Sequence, residues 1–335
     1  MGSAITKLFG ILIIIASFVF GWLFMQYDSF LKTPLLKEGV SESFDITPGS
    51  SVKSVAQQLK SRGYITSPMY FEVLVRLENK GTQIQAGEYQ IDPGMSPEAF
   101  LNRVTSGDVK QYFFTIIEGW SFKQMLAFLA EHPQIKHTLA GLNQEQVLAK
   151  LGMEGLHPEG WFLPDTYHFP KNTSDVSFLK RAHKAMKAAL QQAWEQRKAK
   201  LPLKSPYEAL ILASIIEKET GLASERRDIS GVFVRRLNKG MRLQTDPTVI
   251  YGMGDRFDGN IRRADLKRDT PYNTYTRNGL PPTPIALPSF DAIQAALDPA
   301  PGKSLYFVSK GDGSHYFSAT LKEHNQAVRK YQLKK

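Results

Sequence analysis

Acidic residues at the end of an apolar segment are the part of this sequence best suited to chemistry. The stretch ASIIEKETGLASE, residues 213–225, places Glu217, Glu219 and Glu225 within and just beyond a run of aliphatic residues. A carboxyl group in dry surroundings keeps its proton at a higher pH than one in water. A carboxyl that is neutral near physiological pH is what a general acid needs. The stretch therefore predicts a proton donor.

A predicted helix, residues 206–220, carries this stretch. It begins with Ser205 as the N-cap and proline at the first helical position, a pattern typical of a helix start. Residues 209–216 are almost all apolar, which indicates burial around most of the circumference. We expect the helix to end at Thr220, with Gly221 in the left-handed conformation.

Glu217 falls in the last turn of this helix. Burial disfavours its anion, and the negative end of the helix dipole disfavours it by a further ~0.3–1 kcal/mol. We therefore predict that Glu217 stays protonated and serves as the catalytic acid. The same position also suits a buried acid that is paired with a cation, so the residue pattern alone leaves both interpretations open.

The other two glutamates have different predicted surroundings. Glu219 lies about 200° around the helix from Glu217 and is expected to point at solvent or at a surface basic residue. Glu225 follows Ser224 at the start of the next predicted helix, where an acid interacts well with the helix dipole. A role in capping is the simpler interpretation of Glu225.

An apolar segment near the amino terminus predicts a membrane anchor. Residues 8–25 carry no charge, and as a helix they would span roughly 27 Å, close to the thickness of a bilayer core. We predict an uncleaved transmembrane anchor that contacts lipid, with a cleaved secretory signal as the alternative. Residues 1–7 are expected in the cytoplasm and the bulk of the chain outside it.

Three segments repeat one pattern of strand, glycine turn and capped helix. They begin at residues 44, 89 and 114, and their expected N-caps are Ser51, Ser96 and Ser121. The first copy resembles the LysM peptidoglycan-binding module. We predict a small LysM-like α+β domain over residues 41–110, with the third copy opening the next domain.

The remainder, residues 111–335, is predicted to be a larger, helix-rich α+β domain. Residues 304–320 predict a β-hairpin, and the Pro-, Tyr- and Asn-rich stretch 244–288 predicts a long functional loop. The expected fold class is therefore α+β with an N-terminal transmembrane helix. Helices are predicted at 122–131, 176–199, 206–220, 224–239 and 289–297.

Composition excludes several functional classes. The chain has no cysteine, so it has no thiol nucleophile, disulfide or cysteine zinc site. Its seven histidines form no metal-binding motif, and we expect no metal and no cofactor. The net charge of +10 suits an anionic partner, but no nucleic-acid-binding motif is present and we expect no nucleic acid.

Four separated motifs resemble the endolytic murein transglycosylase family, also called YceG-like. They are EGWFLPDTY, EKET, RLNKGMRLQTDPTVIYG and YNTYTRNGLPPTPIALPS, which begin at residues 159, 217, 236 and 272. The resemblance covers nearly the whole chain. It implies a lytic transglycosylase that faces the periplasm from the bacterial inner membrane, with peptidoglycan synthases as neighbours. It also implies that Glu217, the first acid of EKET, is catalytic.

The reaction that the resemblance implies needs one carboxyl group. The acid protonates the oxygen of the β-1,4 bond between N-acetylmuramic acid and N-acetylglucosamine, and the muramic C6 hydroxyl then closes a 1,6-anhydro ring. Ordinary glycosidases need a second carboxylate. A hydrolytic muramidase that also uses Asp246, or a wall-binding anchor without activity, are the alternatives.

Candidate glycan contacts cluster in and near the 244–288 stretch. Amide and hydroxyl groups there could bond to the sugar, tyrosine rings could stack on it, and an aspartate could position the acid or stabilise positive charge. Each of them also suits a purely structural role. The candidates are Gln244, Asp246, Tyr251, Tyr272, Asn273, Thr274 and Tyr275.

Overall fold

The computed structural model describes residues 2–333, with side chains from Ile5 onward. Met1, in the predicted cytoplasmic segment, and residues 334–335, in the predicted domain 111–335, lie outside the described residues. The chain divides into two compact units.

The first unit ends at Tyr112 and also includes Phe169–Lys171, and the second unit holds the rest of the chain. Both combine helices with short strands, in agreement with the predicted mixture of helix and sheet. The predicted domain limits, 41–110 and 111–335, stay a prediction.

A long helix, α1 (Gly2–Lys32), opens the first unit. Its stretch Ile5–Lys32 is long and apolar enough to cross a membrane. A signal sequence has the same properties, so α1 is suited to either role. Its last turn enters the core of the first unit, where Phe30 and the following Leu35 are buried. The helix therefore runs without a break from the apolar stretch into the folded unit.

One strand pair and three further helices complete the core of the first unit. Strand β1 (Glu42–Ile46) pairs antiparallel with β2 (Gly87–Ile91), so that Phe44 lies opposite Tyr89. Both rings are fully buried, because residues in register on one face of a sheet point into the same core. The helices are α2 (Val52–Ser61), α3 (Pro68–Leu77) and α4 (Pro97–Ser106).

The second unit is rich in helices, and its strands form short two-stranded sheets. Strand β3 crosses from the first unit into the second. The elements, in chain order, are β3 (Gln111–Thr115), α5 (Phe122–Ala130), β4 (Ile135–Lys136), α6 (Gln144–Leu151), β5 (Thr166–Pro170), β6 (Thr173–Ser174), α7 (Asp175–Glu195), α8 (Pro206–Glu219), α9 (Arg226–Asn238), α10 (Asp246–Met253), α11 (Arg263–Lys267), α12 (Phe290–Leu297), β7 (Tyr306–Ser309), β8 (His315–Ser318) and α13 (Leu321–Tyr331).

The repeated turn and cap motif is confirmed in all three copies. Ser51, Ser96 and Ser121 each accept a hydrogen bond from the backbone N–H three residues later. This satisfies a donor that has no partner within the helix. The glycines that precede these caps all have a positive φ, and they are Gly49, Gly94 and Gly119.

The five predicted helices and the predicted hairpin are confirmed. They correspond to α5, α7, α8, α9 and α12, and to the antiparallel pair β7–β8. Some limits differ from the prediction. Helix α7 ends at Glu195, and a short 3₁₀ turn, Ala223–Glu225, precedes α9.

Helix α8 lies at the centre of the second unit. Every residue from Ala209 to Ile216 is buried, and α8 packs on α12, α9, α7 and α10. An apolar helix needs neighbours on all sides, which explains this central place. Ser205 caps its start by accepting from the N–H of Glu208, as predicted.

The end of α8 differs from the prediction. The helix stops at Glu219 because Thr220 adopts an extended conformation, with φ −144° and ψ 134°. The Thr220 hydroxyl then accepts from the N–H of Leu222. Gly221 was expected in the left-handed region, and it is not among the residues with positive φ. The prediction for Gly221 is therefore wrong, since a local side-chain bond turns the chain instead.

The stretch 244–288 is more ordered than predicted. It contains helices α10 and α11, whereas we expected a loop without regular structure. Pro247 has a fixed φ and needs no N–H partner in the first turn, which favours a helix start after Thr245. The sequence Asp-Pro thus begins a helix and not an isolated turn.

Candidate active site

The last turn of α8 exposes two glutamates to different surroundings. Glu217 and Glu219 are separated by one residue, so they leave the helix in nearly opposite directions. Lys218, between them, is exposed and donates to the carbonyl of Gly119. The chemistry of each acid follows from the groups it meets.

Glu217 lies in a cluster of hydrogen-bond donors. Its Oε2 accepts from the backbone N–H of Ser289 at 2.9 Å and from the Ser289 hydroxyl at 2.5 Å. Its Oε1 lies 3.6 Å from a guanidinium nitrogen of Arg226, and only 6% of its side chain is exposed. Two hydrogen bonds and a nearby cation are the usual partners of a buried carboxylate.

Arg226 gathers further acids around the same place. Its guanidinium lies 3.4 Å from Glu118 and 3.3 Å from Asp291. The side chain is 9% exposed, whereas those of Glu118 and Asp291 are about half exposed or more. Burial and the nearby Glu217 raise the pKa of Glu118. We call this group, formed by Arg226, Glu118, Glu217 and Asp291, the Arg226 cluster.

Glu219 lies against the start of α10 on the other side of the helix. Its carboxyl group accepts a hydrogen bond from the hydroxyl of Thr245. Burial is the largest cause that raises the pKa of Glu219 to about 7, and Asp246 raises it further. We expected Glu219 to point at solvent or at a surface basic residue, but its carboxyl group is bonded to Thr245 and its side chain is only partly exposed.

A polar cleft of about 550 Å³ opens beside Glu219. Its walls come from the end of α8, the segment before α10, the β7–β8 hairpin and helix α13. We call it the Glu219 cleft, and its polar lining includes Glu219, Arg236, Gln244, Asp246, Tyr275 and His315.

Arg236, on α9, ties two walls of the cleft together. Its Nε donates to the carbonyl of Leu305 at 2.6 Å, and its Nη1 donates to the carbonyl of Leu243 at 2.7 Å. The guanidinium carbon also lies 5.1 Å from the ring centroid of Tyr306. Since Leu305 precedes the hairpin and Leu243 precedes Gln244, this one side chain links the two segments.

Three of the predicted glycan contacts line the Glu219 cleft. Gln244 has a left-handed backbone with φ +50°, and its N–H donates to the carbonyl of Thr274. The hydroxyl of Tyr275 donates to Asp246 at 2.5 Å. Burial is the main cause that raises the pKa of Tyr275, and the bond to Asp246 adds to it.

Thr274 and Asn273 have structural partners. Thr274 is buried, and its hydroxyl accepts from the N–H of Thr245 and bonds to the hydroxyl of Thr248. Asn273 is 1% exposed, and its amide donates to three backbone carbonyls of residues 265–268. Its carbonyl accepts from the N–H of Tyr275. Both residues therefore shape the loop that carries Tyr275.

Tyr251 and Tyr272 pack together in a different place. Their rings meet edge to face, with centroids 5.0 Å apart. The Tyr272 hydroxyl bonds to Thr283, and the Tyr251 hydroxyl donates to Glu159 at 3.2 Å. These two tyrosines are not among the residues that line the Glu219 cleft.

Glu159, the first residue of EGWFLPDTY, is a buried acid that was not among the predicted site residues. It is 3% exposed, and its Oε1 accepts from the N–H of Phe122 at the start of α5. Burial raises its pKa to about 7. An acid beside Gly160 and aromatic residues in EGWFLPDTY was the available signal. The contacts of Glu159 join α10 to the start of α5.

The Glu219 cleft combines what general acid catalysis requires. Glu219 keeps a proton near neutral pH, and polar groups surround the adjacent space. Within residues 2–333, no set of three His, Asp or Glu side chains is arranged to hold a metal ion. The arrangement suits proton transfer to a polar, hydroxyl-rich substrate.

Comparisons with known proteins agree over most of the chain. The sequence profile of the YceG-like family matches residues 44–330. An endolytic murein transglycosylase of Bacillus subtilis (strain 168) is 35% identical over 325 residues, which covers 91% of this chain and 89% of that protein. One of Streptococcus pneumoniae serotype 2 is 28% identical, covering 84% of this chain and 57% of that protein.

A solved structure also resembles this chain. The crystal structure of a YceG-like protein from Listeria monocytogenes superposes with a TM-score of 0.55 at 29% identity. The match covers 85% of this chain and 98% of the Listeria chain.

Proposed function

The chain belongs to the YceG-like family, and on that premise we propose that it is a lytic transglycosylase that cuts the glycan strands of peptidoglycan. Its relatives are named endolytic murein transglycosylases. The observation that carries the proposal is Glu219, a carboxyl group whose pKa is raised to about 7 by burial and which lines a polar cleft. A volume of about 550 Å³ lies within the range of ligand sites.

We assign the proton transfer to Glu219. The neutral carboxyl gives its proton to the oxygen that leaves the muramic anomeric carbon. The C6 hydroxyl of the same sugar then bonds to that carbon, and its proton passes to the Glu219 carboxylate. The bond between the sugars breaks, a 1,6-anhydro ring forms, and the acid is restored without water. The nucleophile comes from the substrate, so no second carboxylate is required.

Glu217 remains a prediction from the sequence, and its surroundings favour a structural role. It accepts from two donors of Ser289 and lies near Arg226, contacts that stabilise a carboxylate. Glu219 instead has one hydroxyl donor and borders the cleft. Of the two acids, Glu219 is therefore the better proton donor.

The other candidate residues divide between contact and support. We propose that Gln244, Asp246 and Tyr275 contact the sugar, because they line the Glu219 cleft. Asn273 and Thr274 hold the loop that presents Tyr275. Tyr251 and Tyr272 fix α10 through their own contacts and affect the cleft from a distance.

The proposed location follows from α1. We propose that α1 stays attached as an inner-membrane anchor in contact with lipid, with residues 1–7 in the cytoplasm and the bulk of the chain in the periplasm. There the enzyme would release or terminate nascent glycan strands beside peptidoglycan synthases. We further propose that the LysM-like segment, residues 41–110, contributes glycan contacts.

Product analysis tests the proposed reaction. Purified protein is incubated with isolated peptidoglycan, and the fragments are analysed by mass spectrometry. We expect 1,6-anhydro ends, which are one water lighter than hydrolytic ends. Hydrolytic ends would indicate a muramidase in which Asp246, also in the cleft, activates water. Binding to the wall without new ends would indicate a non-catalytic anchor.

A further inference from the structure

His315 is clamped by a glutamate that lies 90 residues earlier in the chain. Its backbone N–H donates to Oε1 of Glu225 at 2.9 Å, and its Nδ1 lies 2.7 Å from Oε2 of the same carboxylate. Both side chains are largely buried, with 11% and 15% exposed. Two contacts from one carboxylate fix both the strand start and the ring.

The clamp determines which ring nitrogen stays available. A carboxylate only accepts hydrogen bonds, so Nδ1 must carry the proton that it donates to Glu225. The edge of Phe307 packs against the ring, with the centroids 5.4 Å apart and the planes at 90°. In the part of the chain that the structure describes, Nε2 has no hydrogen-bond partner. In this tautomer, Nε2 is the nitrogen that can accept a hydrogen bond when the ring is uncharged.

His315 also lines the Glu219 cleft, as do Gln244 and Asp246. Its carboxylate partner does not line that cleft. The ring, and not the carboxylate of Glu225, therefore borders the open volume. This is the arrangement in which a carboxylate orients an imidazole toward a ligand.

We propose that His315 is a substrate-contacting residue whose Nε2 accepts a hydrogen bond from a glycan hydroxyl, and that Glu225 is its positioning residue. This inference rests on the proposed function, because it takes the cleft as the glycan site. It adds a contact on the hairpin wall to those from α8 and from the loop before α10. From the sequence, Glu225 was expected only to favour the start of α9. Its contacts with His315 give it a second role.

Two substitutions of His315 separate contact from support. In His315→Asn, the amide occupies roughly the place of Nδ1 and can still donate to Glu225, but nothing replaces Nε2. In His315→Gln, the longer amide reaches roughly the place of Nε2, and the bond to Glu225 is lost. We compare four proteins by kcat/KM on isolated peptidoglycan and by thermal unfolding. They are the two His315 variants, Glu225→Gln and the unaltered protein.

We expect His315→Asn to unfold within a few degrees of the unaltered protein and to lose about 10-fold in kcat/KM, mainly through KM. His315→Gln and Glu225→Gln should retain more activity than His315→Asn at temperatures where they are folded. The opposite order, with His315→Asn as active as the unaltered protein, would overturn the inference and leave a purely structural clamp. If the unaltered protein itself makes no anhydro ends, the proposed function fails instead.

Discussion

The two sides of the last turn of α8 place identical side chains in opposite chemical situations. Glu217 belongs to the Arg226 cluster, where two donors of Ser289 and a guanidinium surround its carboxylate. Glu219 faces a hydroxyl donor, another acid and a polar cleft. A single intervening residue separates these situations because consecutive positions on a helix diverge by about 100°.

The difference shows that two buried acids on one helix turn can have very different partners. Both side chains are removed from most solvent, but Glu217 has two Ser289 donors and lies 3.6 Å from Arg226, whereas Glu219 accepts from one hydroxyl and has both Asp246 and Arg236 nearby. Full compensation stabilises the anion and fixes the fold. Partial compensation leaves a proton on the acid and makes that proton transferable. Substitutions on the two sides should therefore affect different properties.

The largest expected effect comes from exchanging the two acids for amides, one at a time. Glu219→Gln cannot donate a proton and should lower the rate of glycan cleavage by about 10³-fold. Glu217→Gln should keep cleavage within about 10-fold of the unaltered protein, and lose some stability. Release of anhydro ends, measured beside thermal unfolding, checks both. If Glu217→Gln is inactive and Glu219→Gln is active while both are folded, the assignment made from the sequence is correct and ours is reversed.

Removing the cation of the Arg226 cluster should mainly affect stability. In Arg226→Gln, Glu217 stays buried without its positive neighbour, and we expect a loss of about 3 to 4 kcal/mol in the free energy of unfolding. Urea denaturation measures it. Arg227→Gln is the matched control, because Arg227 is 52% exposed and pairs with Asp298 near the surface. It should cost less than about 1 kcal/mol. Equal losses in the two variants would show that the buried Arg226 stabilises the fold no more than the exposed Arg227 does.

Glu159 extends the comparison to a third acid, whose burial should appear in the pH dependence of stability. Its pKa is raised from 4.5 to about 7 in the folded protein, so the stability it contributes is complete below about 4.5 and is lost as the pH rises to about 7. Glu159→Gln has no such loss. As the pH rises from about 4.5 to about 7, the free energy of unfolding of the variant should therefore increase by up to roughly 3 kcal/mol relative to the unaltered protein. Above about pH 7 this difference should stay constant.

Chemical denaturation of both proteins at a series of pH values measures this difference. The other titratable groups are shared, so their contributions should largely cancel. A difference that stays constant from about pH 4.5 to pH 8 would show that Glu159 ionises normally. Cleavage by Glu159→Gln should persist, because this acid lies outside the lining of the Glu219 cleft.

The smallest predicted effect concerns the cleft wall. Tyr275→Phe removes the hydroxyl that donates to Asp246, and the loss of one such bond should raise KM about 5- to 10-fold. Tyr112→Phe is the matched control, because its hydroxyl donates to Glu88 in the first unit. That variant should leave KM unchanged. Equal changes in both would indicate a general effect of losing a tyrosine hydroxyl.

Much of the fold could be predicted because its signals are local. Ser51, Ser96, Ser121 and Ser205 cap helices as expected, since a cap depends only on residues within one turn. The apolar run of α8 predicted its burial for the same reason. Where a second local signal competed, as Thr220 did with Gly221, the prediction failed.

The candidate site depended on contacts that no local pattern contains. The helical period predicted that Glu217 and Glu219 face different ways, but not that Thr245 would reach Glu219 from 26 residues later. The clamp between Glu225 and His315 joins even more distant segments. Such contacts follow from how α8, α9 and the hairpin pack. The sequence therefore pointed to this helix turn, and the geometry is the basis of our proposal that Glu219, and not Glu217, is the acid.

The unbroken course of α1 has a mechanical consequence for the first unit. The helix has 31 residues and is roughly 46 Å long, whereas a bilayer core is about 30 Å thick. Its far end is immobilised where Phe30 enters the core. With α1 retained in a bilayer, no flexible linker separates the membrane-spanning part of the helix from the first unit. The first unit would then be joined to the lipid through one continuous helix. A force on that unit would tilt α1 within the bilayer.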